Sequence, residues 1–220
     1  MKHIFIYLFL FKDLLNLNTY NKILENTYKL FLKKGLYNVS SEDISRASNI
    51  SPGTLYYHFK NKDEIIENVL NKYVLKVYYD CLDEANNCNG DTFTRLTVFY
   101  KGILGLDNEY QPKYVFNNED DFKKILVISF EGMQKYKEIN QKYNDFNFKY
   151  TQSIRNIIEN GKNKGEIQSN LDTNELVLFI KSNINGIFFL WIFQKNFNSK
   201  EIINMNLKHI LNYIKENKNH

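Results

Sequence analysis

The sequence has few of the residues that interrupt helices. It contains two prolines and nine glycines in 220 residues. Proline and glycine are the strongest breakers of regular structure, and a chain of many short strands and tight turns needs more of them. Hydrophobic residues make up 43% and charged residues 25%, which is typical of a folded globular chain and not of a disordered one. The scarcity of breakers therefore favours long helices around a sizeable core.

Cysteine is also scarce. Cys81 and Cys88 are the two cysteines of the chain, and they form no C-x-x-C motif. A pair placed in this way does not make a disulfide framework, so a reducing compartment, the cytoplasm, fits best. The formal net charge of +4 permits an anionic partner but does not require one.

Sequence motifs of catalysis and metal binding are absent. The chain contains no H-E-x-x-H, no G-x-S-x-G and no G-x-G-x-x-G. Its four histidines, His3, His58, His209 and His220, are too scattered in sequence to indicate a metal site. We therefore predict no catalytic residues, no metal site and no cofactor.

The N-terminal segment is apolar but short. Eight apolar residues run from Ile4 to Phe11, whereas about 20 are needed to cross a bilayer. No small-residue cleavage site of a signal peptide follows them. We interpret residues 1–17 as an extra helix that packs on the body of the protein, or as the product of an upstream start codon. Contact with a membrane is the less favoured alternative, and no membrane partner is expected.

Apolar residues recur at three- and four-residue spacing along most of the chain, which is the pattern of amphipathic helices. We find neither the alternation of strands nor an internal repeat, so the sequence predicts an all-α fold. The expected helices lie at about 19–34, 40–48, 52–59, 62–86, 91–105, 119–136, 140–160, 172–195 and 199–216.

The second and third helices are predicted to form a helix-turn-helix. Ser40 can cap the first of them, with Asp43 in the capping-box position. Asn49 tolerates the left-handed conformation that a tight turn needs. Ser51 can cap the next helix, and Pro52 then occupies its first position, where a missing N–H costs nothing.

The third helix divides into two faces. Leu55 and Phe59, four residues apart, should anchor it to the core. In a helix-turn-helix the second helix lies in the DNA major groove, where hydroxyls reach phosphates and tyrosine rings reach thymine methyls. The alternative is a surface helix with incidental tyrosines. The residues that face away from the core are Pro52, Thr54, Tyr56, Tyr57 and His58.

Residues 20–66 resemble the DNA-binding domain of the TetR family of bacterial repressors. The resemblance rests on the stretch "ILENTYKLFLKKGLYNVSSEDISRASNISPGTLYYHFKNKDEII". Ser45 and Ser48 stand where the family usually has alanine, and Asn49 where it usually has a turn glycine. The resemblance implies DNA contacts from Ser40, Ser51, Pro52, Gly53, Thr54, Tyr56, Tyr57, His58 and Lys62.

The same resemblance implies the organisation of the whole chain. An apolar extension (1–17) and a helix-turn-helix domain (18–64) would precede a larger helical ligand-binding and dimerisation domain (65–220). The last two helices would form a four-helix dimer interface, with Gly186 allowing close approach. An effector pocket would lie among the fourth to eighth helices. Its candidate lining residues, each of which could equally be plain core packing, are Tyr100, Phe122, Phe130, Met133, Phe188 and Trp191.

The sequence thus predicts a cytoplasmic, homodimeric transcriptional repressor that leaves a near-palindromic operator when a small molecule binds. One alternative is an activator, or a family member that recruits a protein partner. Another is a helical enzyme or small-molecule carrier with a coincidental motif. The effector, the operator sequence and the regulated genes are not encoded in any motif that we recognise.

Overall fold

The computed structural model describes residues 2–104, 119–194 and 197–215, and within these ranges the side chains of all residues except 2–15, 119 and 122. The described chain is helical, and no β-strand occurs in it beyond one isolated bridge between Ile167 and Lys215. The all-α prediction is confirmed. The helices are α1 (Lys2–Lys34), α2 (Ser41–Ser48), α3 (Pro52–His58), α4 (Lys62–Leu70), α5 (Lys76–Asn87), α6 (Thr92–Leu104), α7 (Glu119–Lys135), α8 (Lys137–Asn163), α9 (Thr173–Phe193) and α10 (Ser199–Ile214).

The first helix is much longer than the sequence pattern indicated. We expected a helix from about residue 19 and a separate helix before it, but α1 is continuous over 33 residues. Neither proline nor glycine occurs before Gly35, so nothing in the chain interrupts the backbone hydrogen bonds. Gly35 then ends the helix with a φ of 79°, which lies in the left-handed region. The proposed packing role of residues 1–17 lies largely outside the described side chains and stays a prediction.

The chain divides into two compact units. The first comprises Met1–Leu75 together with Lys124–Asn140, and the second comprises Lys76–Lys123 and Gln141–His220. Residues 65–75 and most of α7 therefore belong to the first unit, whereas the sequence-based division assigned them to the C-terminal domain. Because a contact with a residue far away in sequence leaves no local signal, the share of α7 in the first unit could not be foreseen.

Specific contacts hold the end of α7 within the first unit. The Tyr136 hydroxyl donates a hydrogen bond to Asp63 Oδ1 at 2.9 Å, and Lys135 Nζ lies 3.4 Å from the same oxygen. The hydrogen bond from Tyr136, followed by the charge of Lys135, lowers the pKa of Asp63. A Cβ added at Gly132 would lie 2.7 Å from Leu70 Cδ1, so a larger residue there would force a shift. These contacts fix α7 against the start and the end of α4.

The predicted fourth helix (62–86) contains a change of helical type. A π-helical turn, Asn71–Leu75, separates α4 from α5. Such turns insert one extra residue into the hydrogen-bonding ladder and are frequent at functional sites. This turn also ends the first unit along the chain. Just after the start of this turn, Tyr73 stacks on Tyr28 of α1 with ring centroids 4.7 Å apart.

The core of the second unit is rich in stacked aromatic rings. Phe99 of α6 stacks on Tyr150 of α8 with centroids 5.3 Å apart, and Phe146 lies one turn before Tyr150 at 5.8 Å. Burial raises the pKa of the Tyr150 hydroxyl. Trp191 of α9 is 1% exposed. This packing fixes the helices that line the surfaces described below.

Candidate nucleic-acid interface

Helix α2 begins with the capping box that the sequence predicted. Ser40 Oγ accepts a hydrogen bond from the Asp43 N–H at 3.1 Å, and the Asp43 carboxylate accepts one from the Ser40 N–H at 3.1 Å. Lys34 Nζ lies 2.8 Å from the same carboxylate. The hydrogen bonds from Lys34 and Ser40 lower the pKa of Asp43 to about 2. The start of α2 is therefore tied to the end of α1.

The turn between α2 and α3 also forms as predicted. Asn49 has φ 52° and ψ 52°, which places it in the left-handed conformation. Its N–H bonds to the Arg46 carbonyl at 3.1 Å, and the Ile50 N–H bonds to the Ser45 carbonyl at 3.1 Å. Asparagine adopts this conformation more readily than most residues do, so it replaces glycine here without loss of the turn.

Helix α3 is capped and anchored by residues that the sequence identified. Ser51 Oγ accepts a hydrogen bond from the Thr54 N–H at 3.1 Å, and Pro52 occupies the first turn. Leu55 and Phe59 are 0% and 2% exposed, which confirms their predicted inward orientation. The Phe59 ring stacks on Tyr20 of α1 at 4.8 Å. The helix is thus fixed on one side and open to solvent on the other.

The two tyrosine side chains of α3 differ in exposure and in the contacts that they make within the chain. The Tyr56 hydroxyl donates to Ser41 Oγ of α2 at 3.1 Å, so it joins the two helices of the motif. Tyr57 is 68% exposed and makes a T-shaped contact with His58 at 5.1 Å. Burial lowers the pKa of His58, which favours its neutral form. Tyr57 is therefore the large side chain of α3 that is most available to a partner.

The packing of the described residues does not require a glycine at position 53. A Cβ added there would meet only Ser51 Oγ, at an ordinary contact distance of 3.7 Å. Alanine would therefore fit and would favour the helix. A missing side chain on an exposed helix is useful where the backbone of that helix must come close to another molecule.

Lys62 lies at the start of α4 with its ammonium group turned towards the chain. Lys62 Nζ donates to the Val39 carbonyl at 3.0 Å, in the loop before α2. The neighbouring Lys60 is exposed. The phosphate contact expected of Lys62 stays a prediction. It would require the ammonium group either to break its hydrogen bond to the Val39 carbonyl or to use another of its N–H groups.

Two of the departures from the family pattern carry a cost. Ser45 and Ser48 of α2 are 5% and 0% exposed. Their hydroxyl oxygens have no hydrogen-bond partner in the part of the chain that the structure describes. A buried hydroxyl without a hydrogen-bond partner destabilises a fold, because it has lost its hydrogen bonds to water and gained none in return.

The six candidate effector-binding residues differ in exposure. Tyr100 and Trp191 are buried, and the Tyr100 hydroxyl donates to Asn183 of α9, which in turn donates to Asn206 of α10 at 2.8 Å. Phe130 is 54% exposed. Met133 and Phe188 are half-buried, and the side chain of Phe122 lies outside those described. Their role in binding a ligand stays a prediction.

A different set of residues lines a cleft in the second unit. Its volume is about 570 Å³, and it lies among α5, α6 and α8. No sequence motif marks this cleft; the one available signal was Arg95, which is one of only three arginines among 29 basic residues. The cleft residues are Tyr79, Leu82, Asp83, Asn86, Arg95, Phe148, Lys149, Gln152, Ser153, Asn156 and Asn160.

The last two helices expose an apolar surface, which we name the α9–α10 face. Phe189 is 64% exposed, while Gly186, one turn earlier, has nothing within 4 Å of an added Cβ. By length and hydropathy alone α9 could cross a membrane, but core helices pass the same test. The opposite stripe of α9, which includes Ile180, Ile184 and Ile187, is buried. The exposed residues of the face are Leu178, Phe179, Phe189, Leu190, Phe193, Met205 and Tyr213.

Comparisons with known proteins identify the helix-turn-helix module. Residues 23–69 match the family of bacterial regulatory proteins of the tetR family. The chain is 28% identical over 171 residues to the HTH-type transcriptional regulator QacR of Staphylococcus aureus, covering 78% of this chain and 85% of that protein. It is 32% identical over 99 residues to IcaR of Staphylococcus epidermidis, a negative transcriptional regulator of the biofilm operon icaADBC. That match covers 43% of this chain and 51% of IcaR.

Solved structures agree at the level of the fold. A transcriptional regulator from Saccharomonospora viridis, in complex with choline, superimposes with a TM-score of 0.74. The match covers 91% of this chain and 99% of that one at 20% identity, so it bears on the fold alone. A capped helix-turn-helix joined to a helical second unit defines a DNA-binding regulator. Residues 23–69 are thus a TetR-family DNA-binding domain, and the comparisons together support a TetR-family transcriptional regulator.

Proposed function

We propose that the protein is a cytoplasmic, homodimeric repressor that leaves a near-palindromic operator when a small molecule binds its second unit. The observation that carries this proposal is the face of α3. It exposes Tyr57 and a helix start lined by Ser51, Pro52 and Gly53, while Leu55 and Phe59 hold the helix in place. A rigid helix with an exposed polar and aromatic face is what reading the major groove requires.

Polar groups near α3 suit the walls of the groove. The hydroxyls of Ser40 and Ser51 each accept a backbone hydrogen bond. Ser40 keeps a proton to donate to a phosphate, and so does one hydroxyl of the pair formed by Ser51 and Thr54, whose oxygens lie 2.9 Å apart. Thr54 and His58 lie half-exposed beside them. Tyr57 would supply the ring contact to a base or sugar. Phosphate contacts from the hydroxyls would position the module, and contact of the Tyr57 ring with a base would contribute to sequence preference.

The α9–α10 face supports a homodimer. Monomeric proteins rarely expose a contiguous surface with this many large apolar side chains. A two-fold axis would pair the same face of two copies, and Gly186 would let the paired α9 helices approach closely. Two α3 helices would then read half-sites about 34–36 Å apart, or a multiple of that spacing.

Ligand control is supported by the cleft of the second unit. Four cleft residues, from Tyr79 to Asn86, belong to α5, whose chain continues through the π-helical turn into α4. A ligand that binds one position of α5 better than another would shift the population of α4 positions. A differential of about 1–3 kcal/mol is typical of such coupling. The sign of regulation, repression, is that of IcaR.

The proposal is tested by mobility shift with DNA taken from upstream of the protein's own gene. We expect a retarded complex at nanomolar protein, a protected near-palindrome in footprinting, and a steep loss of affinity as salt rises because phosphate contacts release counterions. A shuffled sequence of the same composition is the control. Equal affinity for the shuffled DNA at physiological salt would contradict a sequence-specific regulator.

A further inference from the structure

The cleft of the second unit carries several hydrogen-bonding side chains beside its apolar residues Tyr79, Leu82 and Phe148. Most pockets for small molecules are lined by apolar and aromatic side chains with few polar groups. Here four carboxamides, from Asn86, Gln152, Asn156 and Asn160, line one cleft together with Ser153. Each carboxamide can both donate and accept hydrogen bonds. The lining therefore matches a ligand whose body carries several hydroxyl groups.

Arg95 is the cleft residue whose charge is least satisfied. Its Nε is covered and has no hydrogen-bond partner among the described residues. No ion pair joins Arg95 to a described carboxylate within 4.0 Å. A covered Nε–H without a hydrogen-bond partner is costly, whereas a bidentate pair between a guanidinium and a carboxylate or phosphate is among the strongest polar contacts in proteins.

The other charged groups of the cleft do not cancel Arg95. Lys149 Nζ lies 5.0 Å from the centroid of the Tyr79 ring, which holds this second cation at the cleft. Asp83 is the one carboxylate among the lining residues, and its side chain is exposed. Two cations and one carboxylate leave the lining with an excess of positive charge.

We propose that this cleft binds an anionic, hydroxyl-rich small molecule whose phosphate or carboxylate pairs with Arg95 and whose hydroxyls bond to the carboxamides. The inference deepens the proposed function, since this molecule would be the effector that releases DNA. It assigns the sign of the ligand's charge, which no sequence motif marks. It also moves the binding site from the aromatic residues, led by Tyr100 and Trp191, to the face shared by α5, α6 and α8.

The test uses four sugars of similar size with the full-length protein and without DNA. Glucose 6-phosphate and gluconate carry the two anions, glucose is neutral and glucosamine is cationic. Calorimetry and thermal shift should detect binding of at least one anion and at least about tenfold weaker binding of glucose and glucosamine. Equal binding of the neutral or cationic sugar, or no binding of either anion at millimolar concentration, would overturn the inference. The stronger of the two anions decides between a phosphate and a carboxylate ligand.

Variants then assign the binding to the cleft. Arg95→Gln should weaken binding of the anion by at least about tenfold and should not lower the melting temperature of the free protein, because the covered Nε–H that it removes has no hydrogen-bond partner among the described residues. Arg155→Gln is the matched control: Arg155 lies on α8 and donates to Asn174 Oδ1 at 2.7 Å, outside the cleft. A lower melting temperature for free Arg95→Gln together with unchanged anion affinity would mean that Arg95 is only structural.

Operator binding distinguishes this inference from the proposed function. If the anion binds through Arg95 and weakens operator binding, and operator DNA weakens anion binding by the same factor, the proposed function and the inference about the cleft both stand. If it binds through Arg95 and leaves operator affinity unchanged, the site is established and ligand-controlled release fails. If the operator is bound but no anion binds the cleft, the DNA-binding function stands and the inference about the cleft is overturned.

Discussion

The outer face of α3 and the α9–α10 face both expose large aromatic side chains, yet their chemistry differs. Tyr57 is 68% exposed, and the start of its helix carries the hydroxyls of Ser51 and Thr54. Phe189 is 64% exposed, and its ring contacts that of Phe193 at 4.5 Å beside the bare surface at Gly186. Polar groups around a ring suit a hydrated, charged partner, and rings around a glycine suit a second apolar face. Exposure alone therefore does not specify a partner; the neighbours of the exposed ring do.

The largest effect is expected from a charge placed on the α9–α10 face. Phe189→Asp should dissociate the dimer, because a carboxylate would have to be buried without a partner in the interface. Operator affinity should then fall by about 10²–10⁴, since each half-site would be bound without the other. Light scattering and mobility shift measure the two effects.

The chain offers a closely matched control for this variant. Phe148 of α8 is also 64% exposed but lies outside the α9–α10 face. Phe148→Asp should leave the oligomeric state unchanged. If Phe148→Asp dissociates the protein and Phe189→Asp does not, the interface lies on α8 instead.

A smaller effect is expected at the tip of α3. Tyr57→Ala should weaken operator binding by about 1–3 kcal/mol with little change in the melting temperature, because the side chain is mostly exposed. Tyr57→Phe separates the roles of ring and hydroxyl: retention of affinity would assign the contact to the ring. Unchanged affinity for Tyr57→Ala at matched salt would remove Tyr57 from the DNA-contact surface.

Local signals explain why the DNA-binding module could be predicted in such detail. The capping box of Ser40 and Asp43 and the left-handed Asn49 depend on residues at most a few positions apart. The inward position of Leu55 and Phe59 follows from helical spacing. Each of these features is local in sequence, and each is confirmed.

The features that were missed depend on distant parts of the chain. The hydrogen bond between Asp63 and Tyr136 joins residues 73 positions apart and brings the end of α7 into the first unit. Arg95 becomes a candidate for ligand binding only when α5 and α8 bring four carboxamides to its cleft. The length of α1 was missed for another reason. The amphipathic pattern begins only near residue 19, but no proline or glycine precedes it, so the helix extends back to Lys2.

A further test concerns the backbone of α3. Gly53→Ala should stabilise the first unit by about 0.5–1 kcal/mol, because alanine favours helix and the added Cβ meets no close atom. The same change should weaken operator binding if the backbone at this position approaches DNA. Urea unfolding and mobility shift on one preparation give both values. A gain in stability with unchanged operator affinity would show that glycine is not required for DNA binding.

The smallest effect is expected from a buried serine of α2, Ser48. Ser48→Ala should raise the free energy of unfolding by about 1 kcal/mol, because it removes a fully buried hydroxyl that has no partner among the described residues. Ser40→Ala, the same substitution at the start of the same helix, should lower it by about 1 kcal/mol, because it removes the acceptor for the Asp43 N–H. Urea denaturation of both variants measures the contrast. Since neither change alters α3 itself, operator affinity measured well below the unfolding transition should stay within about twofold of wild type for Ser48→Ala. A destabilised Ser48→Ala would mean that this hydroxyl has a hydrogen-bond partner in solution, and its presence in place of alanine would then be a stabilising feature of α2.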